Sequence, residues 1–162
     1  EIFSSCCRRR SSFSTPSDGT GTRPEAAHGY DSRTGKDHGR GREFGARFDP
    51  ADALLCAALP YRVTGLVCRP AGQLRAGADG RLAVGLRVRG GPAGRHVVRC
   101  DVYDPRGEWC SWYSKNVVTE GGRGELLLPF AESDPAGSWR LELRDAVSGQ
   151  KAAVRLKVAA AR

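Results

Sequence analysis

Strict alternation of apolar and polar residues is the feature that most constrains the fold of this chain. In residues 139–145, Trp139, Leu141 and Leu143 alternate with charged side chains, and the same period of two recurs elsewhere. Such a period places one face of a strand in a core and the other in water. We count seven strand-like runs, at residues 61–69, 82–89, 96–103, 109–118, 125–130, 139–145 and 152–158. They predict an all-β fold.

Turn signals separate these runs. DPRG at 104–107 and DPAG at 134–137 carry Asp, Pro and Gly at the positions that suit a type I turn. Gly-Gly at 121–122 and Ser-Gly at 148–149 mark two further connections. Seven short strands with frequent turns, over about 100 residues, predict an immunoglobulin-like antiparallel β-sandwich at residues 60–158.

The region before residue 60 has a different composition. Residues 1–29 are rich in Ser, Thr, Gly, Pro and Arg without apolar periodicity, which predicts a disordered tail. Residues 30–59 are interpreted as a linker or the remnant of a preceding domain, with a turn at 31–35. Asp49 and Pro50 resemble a helix start, so a short helix is expected over about residues 51–58, ending before Pro60.

Charge and hydropathy exclude some functions. No run of about 18 apolar residues occurs, so membrane insertion is not expected. The net charge is +8, but outside Arg8-Arg9-Arg10 the cations are dispersed, and in residues 81–89 Arg alternates with apolar residues. That spacing is typical of a solvated strand face and lacks a recognisable reading element, so nucleic-acid binding is not expected.

The cysteines do not form a metal or redox motif. The six are Cys6, Cys7, Cys56, Cys68, Cys100 and Cys110, and none has C-x-x-C spacing. Cys68 and Cys100 fall on predicted strands, where we favour buried thiols. A Cys68–Cys100 disulfide is an alternative that the sequence leaves open.

No catalytic constellation is marked by the sequence. Glycosidase chemistry needs two carboxylates held across a sugar. The acids of the β region are Asp101, Asp104, Glu108, Asp134, Glu142 and Asp145, and their spacing singles out no pair. His28, His38 and His96 lack recognisable partners for a metal site or a nucleophile. We therefore expect no enzyme activity, metal or cofactor.

An aromatic cluster is the candidate binding site. On a strand over 109–118, Trp109 and Tyr113 would share one face and Trp112 would take the other. Exposed aromatic side chains can stack on sugars or anchor a partner. The interpretation that we favour is that one face fills the core and the other packs on a neighbouring domain. Trp139 is expected in the core.

Several segments together resemble a known family. They are PYRV at 60–63, VYDPRG at 102–107, YSKNV at 113–117, DPAGSW at 134–139 and RDAVSG at 144–149. The set resembles the immunoglobulin-like domains near the C-terminus of large bacterial β-galactosidase-like proteins, and also the macroglobulin-type β-domains. YDSRTGK at 30–36 is similar to the closing hairpin of a preceding domain in such proteins.

This resemblance implies a role beside a catalytic domain. The expected function is a non-catalytic accessory or spacer module of an extracytoplasmic or secreted glycoside-hydrolase-like protein, associated with carbohydrate. Its expected partners are neighbouring domains of the parent protein and a polysaccharide or protein. The alternative is an adhesion or protein-interaction domain, macroglobulin-like, with no sugar ligand. A chain that starts at Glu1 and contains no Met suggests a fragment or a processed product.

Overall fold

A computed structural model describes residues 17–48 and 55–161, and these residues form strands and turns without a helix. Eleven strands follow one another within these two described ranges. They are β1 (Ser17–Asp31), β2 (Asp37–Phe48), β3 (Cys56–Leu59), β4 (Arg62–Pro70), β5 (Leu74–Arg75), β6 (Asp79–Arg89), β7 (His96–Tyr103), β8 (Lys115–Thr119), β9 (Arg123–Pro129), β10 (Gly137–Asp145) and β11 (Lys151–Ala159). The predicted all-β class is confirmed.

The strands belong to two compact units. The first unit comprises residues 1–62 and 147–149, and the second comprises residues 63–146 and 150–162. The first contains a three-stranded sheet with the order β2-β1-β3. The second contains a five-stranded sheet, β5-β11-β10-β7-β8, and a three-stranded sheet, β4-β6-β9.

The sheet of the first unit corrects two predictions. Residues 17–29, expected to be disordered, lie in β1, which pairs with β2 and β3; residues 1–16 lie outside the described residues. Residues 56–58, expected to be helical, lie in β3, whereas 51–54 are not among the described residues. Both errors have one cause. Hydrogen bonding between paired strands decides the backbone conformation here, and it outweighs local propensity.

The turn between β1 and β2 has the predicted chemistry. The amide of Gly35 donates to the carbonyl oxygen of Asp31 at 2.7 Å. The Asp31 carboxylate accepts from the amide of Arg33 at 3.0 Å and from the hydroxyl of Thr34 at 2.6 Å. The Asp31 side chain therefore accepts a hydrogen bond from the backbone of the turn that it begins, as aspartate side chains commonly do.

The apolar faces of the two sheets in the second unit share one core. The three-stranded sheet contributes Leu82 and Leu126, and the five-stranded sheet contributes Val98, Leu141 and Leu143 to the same buried cluster. Full burial of such a side chain stabilises a fold by about 1.5–3 kcal/mol. Two mainly antiparallel sheets over one core make this unit sandwich-like.

All seven predicted runs fall on strands of the second unit, but the predicted number of strands is wrong. This unit has eight, because β5 joins the edge of the large sheet in parallel with β11. Leu74–Arg75 is too short to show a period of two. The fourth run also begins late, since β8 starts at Lys115 and residues 111–113 form a turn.

Of the two predicted Asp-Pro turns, the one at 104–107 is confirmed and the one at 134–137 is displaced. At 104–107 the amide of Gly107 donates to the Asp104 carbonyl at 3.0 Å, and the Asp104 carboxylate accepts from the amide of Arg106 at 2.8 Å. This turn is confirmed. Before β10 the hydrogen-bonded turn spans residues 131–134 instead, with the amide of Asp134 donating to the Ala131 carbonyl at 3.1 Å.

One lysine connects the edges of the two sheets. β8 and β9 are the edge strands of the five-stranded and three-stranded sheets. The ammonium of Lys115 donates to the carbonyl oxygen of Leu127 on β9 at 2.7 Å. The side chain thus closes the sandwich where these edge strands lie next to each other.

Candidate functional site

The segment between β7 and β8 carries the candidate aromatic residues. We call residues 109–114 the aromatic turn. Trp109 forms a bridge to Tyr103 at the end of β7, and the amide of Cys110 donates to the Val102 carbonyl at 2.8 Å. The hydroxyl of Ser114 accepts from the amide of Val102 at 2.9 Å. These bonds hold the aromatic turn against β7, so its side chains stand on a fixed backbone.

The structure changes the predicted faces of the three aromatic residues. Trp109 and Trp112 are 52% and 70% exposed, whereas Tyr113 is 5% exposed. The prediction that Trp109 and Tyr113 share a face is therefore wrong. Residues 111–113 form a turn rather than a strand, and a turn does not preserve the alternation from which the faces were assigned.

Tyr113 is a core residue that fixes the base of the aromatic turn. Its ring packs 5.7 Å from Phe130 and 5.9 Å from Trp139, measured between ring centroids. Its hydroxyl donates to the Asp134 carboxylate at 2.5 Å and accepts from the amide of Ala131 at 3.1 Å. Burial, together with the hydrogen bond to Asp134, raises the pKa of the Tyr113 phenol. Tyr113 therefore supports the site rather than contacting a ligand.

Trp109 reaches the solvent-facing side of the five-stranded sheet, which we call the outer face. Its indole nitrogen donates to the Asp101 carboxylate at 3.4 Å. Asp101 lies on β7 and also accepts from Arg99, two residues earlier on the same strand, at 2.8 Å. One exposed indole is thus joined to polar groups of the sheet.

Two carboxylates of the outer face stand side by side. Asp101 on β7 and Glu142 on β10 are direct partners in the antiparallel register. Glu142 is bound by Arg140 of its own strand, as Asp101 is bound by Arg99. Sequence analysis did not single out this pair, because cross-strand register is not visible in a single chain segment.

A shallow groove of about 540 Å³ lies over this pair. Its lining includes Asp101, Glu142, Arg144, Lys151 and Ala153. The short side chain of Ala153 leaves room between the longer side chains around it. Carboxylate oxygens accept hydrogen bonds, and lysine and arginine donate them. The groove can therefore bind a ligand that has both hydroxyl donors and anionic acceptors.

A second polar pair lies inside the protein. Nδ1 of His96 and Oδ1 of Asp145 are 2.8 Å apart, and both side chains are completely buried. Thr119, the cross-strand partner of His96, has a buried hydroxyl for which the described residues provide no hydrogen-bond partner. Because water and substrate do not reach this pair, its role is structural. No motif in the sequence indicates that His96 and Asp145 lie next to each other.

The described cysteines differ in exposure, and Cys68 and Cys100 are free thiols rather than a disulfide. Cys68, Cys100 and Cys110 are buried, and Cys56 is half-buried. Burial raises the pKa of the Cys68 thiol to about 11 and that of Cys100 to about 12. Both groups are therefore protonated near neutral pH, and the thiolate is the reactive form.

The rates at which the cysteines are alkylated test these differences in exposure and pKa. At pH 8 in the folded protein, iodoacetamide should modify Cys56 at least tenfold faster than Cys68 or Cys100, because the raised pKa values of the buried thiols suppress their thiolates. Mass spectrometry of peptides after timed quenching gives each rate. In denaturant the three rates should converge. Equal rates in the folded protein, or failure of Cys68 and Cys100 to react after unfolding without reductant, would contradict the assignment of buried free thiols.

The described residues show neither a candidate metal centre nor a candidate membrane-spanning helix. Within residues 17–48 and 55–161, no group of three His, Cys, Asp or Glu side chains could hold a metal ion. The same part of the chain has no helix that is long and apolar enough to cross a membrane. No model of a known protein family matches this chain, and no curated protein shows significant similarity to it. A functional assignment therefore depends on the outer face and the aromatic turn.

Proposed function

We propose that this chain is a non-catalytic accessory module that binds carbohydrate beside a catalytic domain of a larger, extracytoplasmic, glycoside-hydrolase-like bacterial protein. The observation that carries the proposal is the pair of exposed indoles, Trp109 and Trp112, on one hydrogen-bonded turn. Exposed aromatic side chains that lie close together on a fixed backbone can anchor a ligand or a partner. Sugar rings present flat apolar faces with polar edges, which matches an indole beside a hydrogen-bonding groove.

The fold assigned by this proposal is the immunoglobulin-like sandwich. Three features support it: about 100 residues, two sheets over one core, and a turn-rich connectivity. The Tyr113 hydroxyl also accepts from the amide of Ala131, which ties the aromatic turn to the loop that follows β9. A rigid sandwich of this kind suits a module that holds a binding turn in place for a neighbouring domain.

Binding to polysaccharides tests the proposal. Affinity electrophoresis against a panel of soluble plant, bacterial and algal polysaccharides should detect at least one ligand. For that ligand, Trp112→Ala and Trp109→Ala should each weaken binding by at least tenfold, about 1.4 kcal/mol, since exposed aromatic anchors dominate such contacts.

Leu127→Ala is the matched control. Leu127 is an exposed apolar residue on β9, in the other sheet, and its loss should leave binding unchanged. A wild-type chain that is retarded by none of the polysaccharides would contradict the carbohydrate role and favour the protein-interaction alternative. Binding that survives both tryptophan substitutions would place the ligand elsewhere.

A further inference from the structure

The outer face of the five-stranded sheet carries an excess of positive charge that the chain sequence does not reveal. Six cations and two acids point outward from β7, β10 and β11. The cations are Arg99, Arg140, Arg144, Lys151, Arg155 and Lys157, and the acids are Asp101 and Glu142. The cations are dispersed in sequence over about 60 residues, and only the strand order β11-β10-β7 collects them on one face.

The cross-strand register arranges these charges in rows. Arg140 lies directly opposite Arg155, which forms a first cationic row. Arg144 lies directly opposite Lys151 on one side and Arg99 on the other, which forms a second cationic row. Four residues separate the two rows along β10, which is about 13 Å at the usual rise of a strand.

Like charges directly opposite each other destabilise a sheet. Two of the three contacts within these rows, Arg140 with Arg155 and Arg144 with Lys151, join the same two strands. Arg140 and Arg99 are also paired with Glu142 and Asp101, but six cations against two acids leave an excess of four, and an anion that binds across the strands lowers the remaining repulsion. The rows therefore indicate a polyanionic ligand rather than an uncharged one.

The acidic row between them decides which polyanion fits. Glu142 and Asp101 occupy the position midway between the two cationic rows, at the groove that Ala153 leaves open. A nucleic-acid strand carries a charge about every 3.4 Å and would bring phosphates onto these carboxylates. A phosphodiester also has no hydrogen-bond donor for them. Sugar hydroxyls do donate to carboxylates, so a glycan whose charges are separated by hydroxyl-bearing rings satisfies both kinds of row.

The aromatic turn continues the first cationic row. The guanidinium of Arg140 lies 3.9 Å from the ring centroid of Tyr103, and Tyr103 is bridged to Trp109. Arg155, Arg140, Tyr103 and Trp109 thus form one line across the sheet. A ligand that stacks on Trp109 can extend along this line to the charge of Arg155.

We infer that the outer face binds an anionic polysaccharide, with sulfate or carboxylate groups on the two cationic rows, hydroxyl groups at Glu142 and Asp101, and a sugar ring on Trp109. This inference rests on the carbohydrate role proposed above and adds the chemical class of the ligand. The partner is thus distinguished from a neutral glycan by its charge and from a nucleic acid by the wider spacing of its charges, which are separated by hydroxyl-bearing rings.

Dextran and dextran sulfate test the inference, because they share one backbone and differ in charge. Isothermal titration with the full chain should show binding to dextran sulfate at least tenfold tighter than to dextran. The affinity should fall as salt rises, as it does for other polyanions. An oligothymidylate matched for total charge should bind more weakly than dextran sulfate.

Charge reversal on β11 locates the site. Arg155→Glu and Lys151→Glu should each weaken binding of dextran sulfate at least tenfold. Arg87→Glu makes the same charge change at an exposed position of β6, in the other sheet, and should have less than a threefold effect. The melting temperature of the Arg155→Glu variant should equal or exceed that of the wild type, since a repulsive pair becomes attractive. A loss of binding by the Arg155→Glu variant would then not be caused by unfolding.

The outcomes separate the two proposals. Equal affinity for dextran and dextran sulfate that depends on Trp109 would overturn the anionic ligand and retain the carbohydrate role. Tighter binding of oligothymidylate than of dextran sulfate, unaffected by Trp109→Ala, would overturn both in favour of nucleic acid. Equal losses for Arg87→Glu and Arg155→Glu would mean that dextran sulfate binds the net charge of the protein and not this face, which overturns the inference.

Discussion

Replacing Trp139 with alanine should lower the free energy of unfolding by about 3–5 kcal/mol. The side chain is 1% exposed and contacts Phe130 edge-on, with ring centroids 5.2 Å apart. Its indole nitrogen also donates to the carbonyl of Pro135 at 3.0 Å. Alanine therefore leaves a large cavity and removes the hydrogen-bond donor to a partly buried carbonyl. Urea denaturation followed by circular dichroism measures the change.

Trp112→Ala is the control for this experiment. It removes the same side chain from a position that is 70% exposed, and it should change stability by less than about 0.5 kcal/mol. A loss below 1 kcal/mol for Trp139→Ala would show that Trp139 does not lie in the core. Similar losses for the two variants would contradict the burial of one and the exposure of the other.

Replacing His96 with leucine should cost about 3–5 kcal/mol, because it removes the partner of a fully buried carboxylate. Burial of Asp145 without the imidazole leaves its charge with one hydrogen bond fewer in a medium of low polarity. Thermal and chemical denaturation of the variant give the loss.

A double-mutant cycle tests the cause. The variant that carries both His96→Leu and Asp145→Leu removes both polar groups, so it should be more stable than His96→Leu alone. Additive losses from the two single substitutions would mean that the pair does not interact. That result would contradict the 2.8 Å contact.

The strands of the sandwich were predictable because their signal is local. Each run of alternating residues, such as 152–158, contains its own inward and outward positions, and the burial of Leu156 and Val158 follows from it. Trp139 was placed in the core by the same reasoning. Strand β5 was missed since two residues contain no period, and β1 was missed because residues 17–29 lack apolar alternation, so that only pairing with β2 and β3 makes them a strand.

The candidate site was predictable only in part, because part of its geometry depends on a turn and on strand register rather than on local alternation. The residue types of the aromatic turn drew attention to Trp109 and Trp112, but their common exposure depends on a turn that interrupts the alternation. The cationic rows depend on register between three strands. A shift of one residue in that register would turn every one of these side chains to the opposite face. Local patterns do not determine register, so the rows emerge only from the folded sheet.

The lysine between the two edge strands has a consequence for self-association. Backbone carbonyls on the rim of a sheet are templates for an extra strand from another molecule, which is a route to aggregation. The ammonium of Lys115 already occupies the carbonyl of Leu127 on this rim. A visiting strand would have to displace that charge and then lie beside it, so this side of the sandwich resists the growth of intermolecular sheets.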